Sequence, residues 1–281
     1  MNFVPQSTAD GSFTFYSEEF GEAFHSRQGA RLEAEQKFVV PTQICQKAAQ
    51  GRLRLLDVCY GLGYNTAAAL EAAWQVNPYC HIEVIGLERS LCVPQTAIAQ
   101  NLLLGWSAPV SELLGQLAQQ HHISGDRFQG QLLVGDARQT VGQVPNDWAD
   151  AIFLDPFSPQ SCPELWTLEF LGRVIGALQA SGHLATYSCA AAVRTALLTG
   201  GLQIGSTPGV GRKSPGTVAS YTPTGLPLTP QEQEHLETRA AVPYRDPTLT
   251  ATAAVIRQQR QQEQATCGLE PTSQWRRRWL R

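Results

Sequence analysis

The sequence predicts an α/β fold, with a seven-stranded, mostly parallel sheet, a final antiparallel strand and helices on both faces. Three observations predict it. From residue 53 onward, short Val/Ile/Leu/Phe-rich runs alternate with helical segments, as in a parallel sheet covered on both sides. The run Asp150-Ala151-Ile152-Phe153-Leu154 stops at Asp155, and Pro156-Phe157-Ser158-Pro159 follows, so a carboxylate is presented where a buried strand ends. A polar, Gly-rich stretch at 209–216 joins the last two strand-like runs in the manner of a hairpin.

Taken in order, residues 53–59 read as the first strand, 65–75 as a helix, 81–88 as a strand and 94–104 as a helix. The excursion 107–127 holds one more helix before the strand 131–135. The strand 151–154 follows, then a helix over 164–178 with Pro163 at its start, a strand at 183–188, and a helix over 191–198 ending in Gly200-Gly201. Runs 202–206 and 218–222 flank the hairpin connection. If that pair is antiparallel, the architecture is the Rossmann-like methyltransferase sheet rather than an all-parallel dinucleotide fold. Residues 1–40 are expected to be an N-terminal extension, 41–222 the catalytic domain, and 223–281 a Pro-rich linker and helical tail ending in Trp275-Arg276-Arg277-Arg278-Trp279.

Composition narrows the function classes. A formal charge of −3 excludes a globally basic nucleic-acid binder but leaves room for a local patch. No apolar run reaches bilayer length, and the polar start over 1–10 lacks a signal-peptide core, so a soluble cytoplasmic protein is expected. The seven cysteines occur singly, without Cys-x-x-Cys pairs or histidines at ligand spacing. Neither a metal site nor a disulfide framework is expected, and most of these thiols read as small core residues.

The loop Asp57-Val58-Cys59-Tyr60-Gly61-Leu62-Gly63 falls where the first strand meets its helix. Its glycines permit a tight turn and close approach of backbone to ligand. A dinucleotide loop would carry a third glycine where Thr66 stands, and Asp57 places negative charge beside the loop. Both features favour a ligand without phosphate, such as S-adenosylmethionine. Glu88 ends the second strand, where a carboxylate can accept from ribose hydroxyls; Asp136, next to Ala137, can accept from the adenine amino group. The bland alternatives are a structural Gly-x-Gly turn and acids that cap helices.

Four ordered motifs resemble one family. They are Tyr60-Gly61-Leu62-Gly63-Tyr64-Asn65; Leu154-Asp155-Pro156-Phe157-Ser158-Pro159 with Pro163-Glu164-Leu165-Trp166; Leu184-Ala185-Thr186-Tyr187-Ser188 with Val193-Arg194; and Gly209-Val210-Gly211-Arg212-Lys213. The family is the methyltransferase domain of the tRNA 5-methylaminomethyl-2-thiouridine biosynthesis protein MnmC, and the likeness covers roughly residues 11–222. His25-Ser26-Arg27-Gln28-Gly29-Ala30 also resembles the upstream segment of its stand-alone forms. The chain departs from the pattern at Ser161-Cys162 and at Ser214-Pro215, both on the substrate side.

The resemblance implies S-adenosylmethionine-dependent methylation of the 5-aminomethyl group on the wobble (2-thio)uridine of tRNA. It implies a cofactor site at Asp57, Tyr60, Gly61, Gly63, Asn65, Glu88, Asp136 and Ala137. Asp155 is the expected catalytic residue, and Phe157, Arg194, Arg212 and Lys213 are the expected substrate contacts. Too little chain follows residue 222 for the oxidase half of the bifunctional proteins, so another enzyme would supply the aminomethyl group. The residues alone leave alternatives open: Asp155 as a turn former, Arg212 and Lys213 as a solvated turn, Trp166 as core rather than a base-stacking face, and Arg276 to Arg278 as a solvated end rather than an RNA contact. A small-molecule amine methyltransferase, an aminopropyltransferase-like enzyme or a catalytically silent RNA-binding module would use the same sheet. Oligomeric state is not legible.

Overall fold

The computed structural model describes residues 3–210 and 214–279. Its main sheet has eight strands, one more than the sequence predicts: β1 (Arg52–Val58), β2 (His81–Glu88), β3 (His122–Ser124), β4 (Phe128–Val134), β5 (Ala149–Leu154), β6 (Leu178–Thr186), β7 (Gln203–Thr207) and β8 (Gly216–Ser220). The spatial order is β7-β8-β6-β5-β1-β2-β4-β3. The additional strand is β3, antiparallel to β4 at one edge, with only Ile123 of its three residues buried. So short a run leaves no periodicity to read.

Strands β6, β5, β1, β2 and β4 run parallel, and β8 is antiparallel to both β6 and β7, as expected for the last pair. The parallel strands are apolar on both faces because both faces are covered. Leu53, Leu55, Ala151 and Phe153 pack with α1 (Tyr64–Val76), α2 (Cys92–Ala99) and α3 (Ala108–Gln120). Leu56, Val58, Ile152 and Leu154 alternate with them and face α4 (Ala137–Thr140), α5 (Leu168–Gly176) and α6 (Ala191–Thr199). The chain moves from β1 to β2 on one side and reaches β5 on the other. Strand order therefore reverses between β1 and β5, whose carboxyl ends frame a crevice.

Some boundaries differ from the sequence reading for local reasons. The helix expected over 164–178 is broken at Thr167: a 3-10 turn, Pro163–Trp166, precedes it, and the Thr167 hydroxyl caps α5 by accepting from the Phe170 N–H at 3.3 Å. The helix expected over 94–104 stops at Ala99, two residues before Asn101 turns left-handed at φ 56°. The strand expected from 183 begins at Leu178, and its register against β5 breaks before His183.

Both flanking segments share the sheet's cores. Phe15 and Phe38 are fully buried among the residues of the first face. After β8 come α7 (Pro230–His235), α8 (Ala253–Thr266) and α9 (Thr272–Trp279), and Tyr244 and Ile256 join the second core. Among the described residues no helix is long and apolar enough to cross a membrane. No two of the seven cysteines form a disulfide, and only Cys80 and Cys162 are buried; the expectation that most are core residues fails because the others lie at half-buried or exposed positions.

Candidate functional site

A cavity of about 710 Å³ opens at the carboxyl ends of β1, β2, β4 and β5. The loop after β1 forms one wall. Cys59, Gly61 and Gly63 all take positive φ (69°, 57° and 83°), which sends the chain sharply into α1. Gly63 is required there: a Cβ would stand 2.7 Å from the Tyr60 hydroxyl oxygen, so the Tyr60 ring packs against the helix start only if position 63 has no side chain. Tyr60 and Gly61 line the cavity, whereas Gly63 and Asp57 do not.

Asp57 lies beneath the loop, fully buried, and its Oδ2 accepts from the Thr66 hydroxyl at 2.7 Å. The residue that replaces the third glycine is thus engaged inside the protein. Oδ1 of Asp57 has no hydrogen-bond partner. Burial pushes the carboxyl up to about 7, against the lowering effect of the Thr66 bond and with help from the Glu88 charge. An unfolded Asp ionises near 3.8, so the folded chain holds a proton that the unfolded chain has lost between that pH and about 7. This contribution to stability is full below the unfolded value and is lost as pH rises through about 7. Asp57→Asn should remove from melting curves a slope of at most ~1.4 kcal/mol per pH unit over this window. An unchanged slope would mean that Asp57 is ionised throughout.

Glu88 closes the loop from β2. Its Oε2 accepts from the Gly61 N–H at 2.8 Å and its Oε1 from the Ser90 N–H at 2.9 Å. Burial raises its pKa, with those two backbone donors opposing. Glu88 lines the cavity, and each carboxylate oxygen can accept more than one hydrogen bond. At the end of β4, Asp136 caps α4 through the Arg138 N–H at 2.9 Å and pairs with the Arg138 guanidinium at 2.7 Å. Burial works to raise its pKa, but the Arg138 bonds prevail and hold it below the usual value. Asp136 and Ala137 both line the cavity. The capping alternative therefore holds for Asp136 without removing it from the site.

Opposite them stands Asp155, half-buried, its backbone N–H bonded to Val58 O at 3.1 Å across the switch point. Asn65, from the first turn of α1, donates Nδ2 to Asp155 Oδ2 at 2.8 Å; its own Oδ1 is buried without a partner. The turn after Asp155 is held from several sides. Tyr187 donates its hydroxyl to Pro156 O at 2.9 Å, and Trp166 Nε1 donates to Phe157 O at 2.8 Å. Trp166 is fully buried, so it is core and supports the turn rather than presenting a face to a base.

The N-terminal segment completes the site, a contribution the sequence reading missed. Glu22 accepts from the Ser158 N–H at 3.0 Å, from the Ser158 hydroxyl, and from the Ser161 hydroxyl at 2.8 Å. Ser161, which departs from the family pattern, is one of those donors. Phe20 stacks on Phe157 with centroids 4.4 Å apart, and Phe24 meets Phe157 edge-on at 5.0 Å. Arg89, just after β2, pairs with Glu19 at 2.7 Å. The density of Phe and Tyr over 13–24 was the available signal, but nothing in it names the partner strand.

Not every expected residue gathers here. Arg194 is 2% exposed and is spent internally: Nε donates to the Thr217 hydroxyl at 3.0 Å and Nη2 pairs with Glu232 at 2.9 Å. It ties α6 and β8 to α7 rather than facing the cavity, and sequence could not reveal the partner 38 positions away. Arg212 and Lys213 lie outside the described residues. The flanks of their hairpin are braced by buried Lys37, whose Nζ donates to Pro208 O at 2.9 Å and Ser214 O at 3.2 Å. A second cavity of about 250 Å³ borders this brace, and Glu33 and Tyr187 line both cavities. In the tail, Arg278 pairs with Glu234 and Glu270.

A family model described as S-adenosyl-L-methionine-dependent methyltransferase matches residues 99–222. An uncharacterized protein of Methanocaldococcus jannaschii is 30% identical over 265 residues, which is 91% of this chain and 70% of that protein. The tRNA 5-methylaminomethyl-2-thiouridine biosynthesis bifunctional protein MnmC of Acidovorax sp. is 30% identical over 78% of this chain, which spans 35% of that relative's length. Among solved structures, MnmC2 from Aquifex aeolicus superposes with a TM-score of 0.85 at 36% identity, covering 95% of this chain and 86% of that one.

Proposed function

This chain belongs to the MnmC-like family of S-adenosylmethionine-dependent methyltransferases, and from that premise we propose that it N-methylates the 5-aminomethyl group of (2-thio)uridine at the tRNA wobble position. The product is 5-methylaminomethyl(-2-thio)uridine, and a separate enzyme supplies the free amine. The observation that carries this reading is Asp155, fixed at the switch point by Asn65 and facing the cavity beside Phe157.

The residues fit the cofactor. Gly61 offers a loop backbone that approaches a ligand closely, Glu88 offers carboxylate acceptors for ribose hydroxyls, and Asp136 with Ala137 offers an acceptor beside an apolar wall for adenine. The unpartnered Asn65 Oδ1 marks a buried acceptor that a bound donor would satisfy. When bound, S-adenosylmethionine supplies a methyl group already activated on sulfur. The protein's own task is the amine. An ammonium has no lone pair, so Asp155 accepts the amine's hydrogen bond, takes its proton as general base and holds the freed lone pair in line. Phe157 and its two aromatic neighbours offer an apolar face beside Asp155 for the uracil ring.

Glu33 and Tyr187 line both the cavity that holds Asp155 and the cavity at the hairpin flanks, so the two lie side by side. Arg212 and Lys213 at that hairpin are assigned to tRNA phosphates. Replacing both by Ala should weaken tRNA binding, reduce its salt dependence by up to about two units of slope, and leave S-adenosylmethionine affinity intact. Equal slopes for both proteins would remove these residues from the RNA surface. The reading as a whole is tested by offering the enzyme tRNA bearing 5-aminomethyluridine against free amines: efficient transfer to the free amines alone would favour a small-molecule methyltransferase.

A further inference from the structure

Asp246, in the chain between β8 and α8, is fully buried. Its Oδ1 accepts from the Thr250 and Ala251 N–H groups at 3.3 and 3.2 Å and from the Thr248 hydroxyl at 3.2 Å. Its Oδ2 accepts from the Ala251 N–H at 3.2 Å and from Arg138 Nη1 at 3.1 Å. The Asp246 N–H is itself fixed by Glu169 at 2.7 Å. Arg138 turns its other edge to Asp136, with Nε at 3.1 Å from both carboxylate oxygens and Nη2 at 2.7 Å from Oδ2. Nη1 also donates to Ala251 O at 2.9 Å. One guanidinium thus joins a buried carboxylate, immobilised by backbone donors, to a carboxylate whose side chain is 44% exposed at the cavity.

The two ends of this link are unequal. An ion pair between partly exposed groups orders little by itself, because the entropy of two free side chains offsets the attraction. Asp246 changes that balance. With its fork held at the far end, Arg138 presents a fixed edge, and Asp136 is confined to one orientation before any ligand arrives. We infer that Asp246 is a positioning residue for cofactor binding, orienting Asp136 through Arg138, so that the chain beyond residue 222 helps to build the adenine end of the site. This rests on the reading of Asp136 as the adenine acceptor.

The test uses the full chain and equilibrium binding of S-adenosylhomocysteine and its deaminated counterpart, S-inosylhomocysteine. The first offers an amino group to Asp136 and the second an oxygen, so an oriented carboxylate discriminates between them. In Asp246→Asn, affinity for S-adenosylhomocysteine should fall roughly tenfold and the preference for adenine should shrink by a similar factor, consistent with a hydrogen bond to a charged group. Maximal transfer at saturating S-adenosylmethionine should stay within about twofold of wild type, as for a change in binding alone. Should Asp246→Asn fail to fold, Arg138→Met provides the same readout while retaining an apolar stem. A folded variant that keeps the wild-type preference overturns the inference. If Asp136→Ala keeps that preference, the reading of Asp136 falls and the inference falls with it; if Asp136→Ala loses it while the Asp246 and Arg138 variants do not, only the inference fails.

Discussion

Asp155→Asn should lower methyl transfer to tRNA by roughly 10²-fold or more while S-adenosylmethionine binding persists. The size of the effect follows from the polarity of one hydrogen bond. Asn65 Nδ2 donates to Asp155 Oδ2, so an Asn at 155 that keeps this bond turns its carbonyl oxygen to Asn65. Its amide N–H groups then face the substrate amine and bind the lone pair that should attack. The variant also loses the charge that favours the amine beside it and could take its proton. Wild-type transfer should rise with pH toward the effective pKa of the amine, because only the neutral amine reacts. In single-turnover assays across pH at saturating cofactor, an Asn variant as fast as wild type would reduce Asp155 to a former of the turn.

Glu88→Ala should weaken S-adenosylmethionine binding at least about tenfold, since each hydrogen bond to a charged group contributes ~1.5–3 kcal/mol. Two losses combine. The ribose hydroxyls lose their acceptor, and the Gly61 and Ser90 N–H groups lose theirs, which frees the left-handed loop next to the ligand. Glu88→Gln separates the two, because its single carbonyl oxygen can serve only part of this set. Calorimetric titration of folded variants gives the answer: wild-type affinity in Glu88→Ala would exclude Glu88 from the cofactor site.

The parts of this molecule that depend on neighbours in sequence were legible. Apolar runs at β1, β2 and β5 showed a buried parallel sheet, and Asp155 at the abrupt end of one run showed where its carboxyl edge lies. What depends on distant pairing was hidden. Arg194 follows the Tyr187-Ser188 motif in sequence yet is consumed by Glu232, and Asp57 sits next to the glycine loop yet points beneath it. Glu22 contacts Ser158 across 136 positions, a relation that neither periodicity nor composition encodes. The N-terminal aromatics looked separate because their partners, Phe157 and Phe153, belong to another part of the chain. The fold was thus readable from pattern, and the N-terminal part of the site's wall only from tertiary contact.

The most direct measurement takes purified protein, S-adenosylmethionine carrying an isotopically labelled methyl group, and tRNA bearing 5-aminomethyluridine at the wobble position, followed by mass spectrometry of the digested nucleosides. The label is expected as one methyl on the amine nitrogen of the wobble nucleoside, giving 5-methylaminomethyluridine, and Asp155→Asn should slow its appearance by roughly 10²-fold or more under the same conditions. Label on another nucleoside or on a ring atom, or no transfer to this tRNA by protein that binds S-adenosylmethionine, would contradict the proposed reaction.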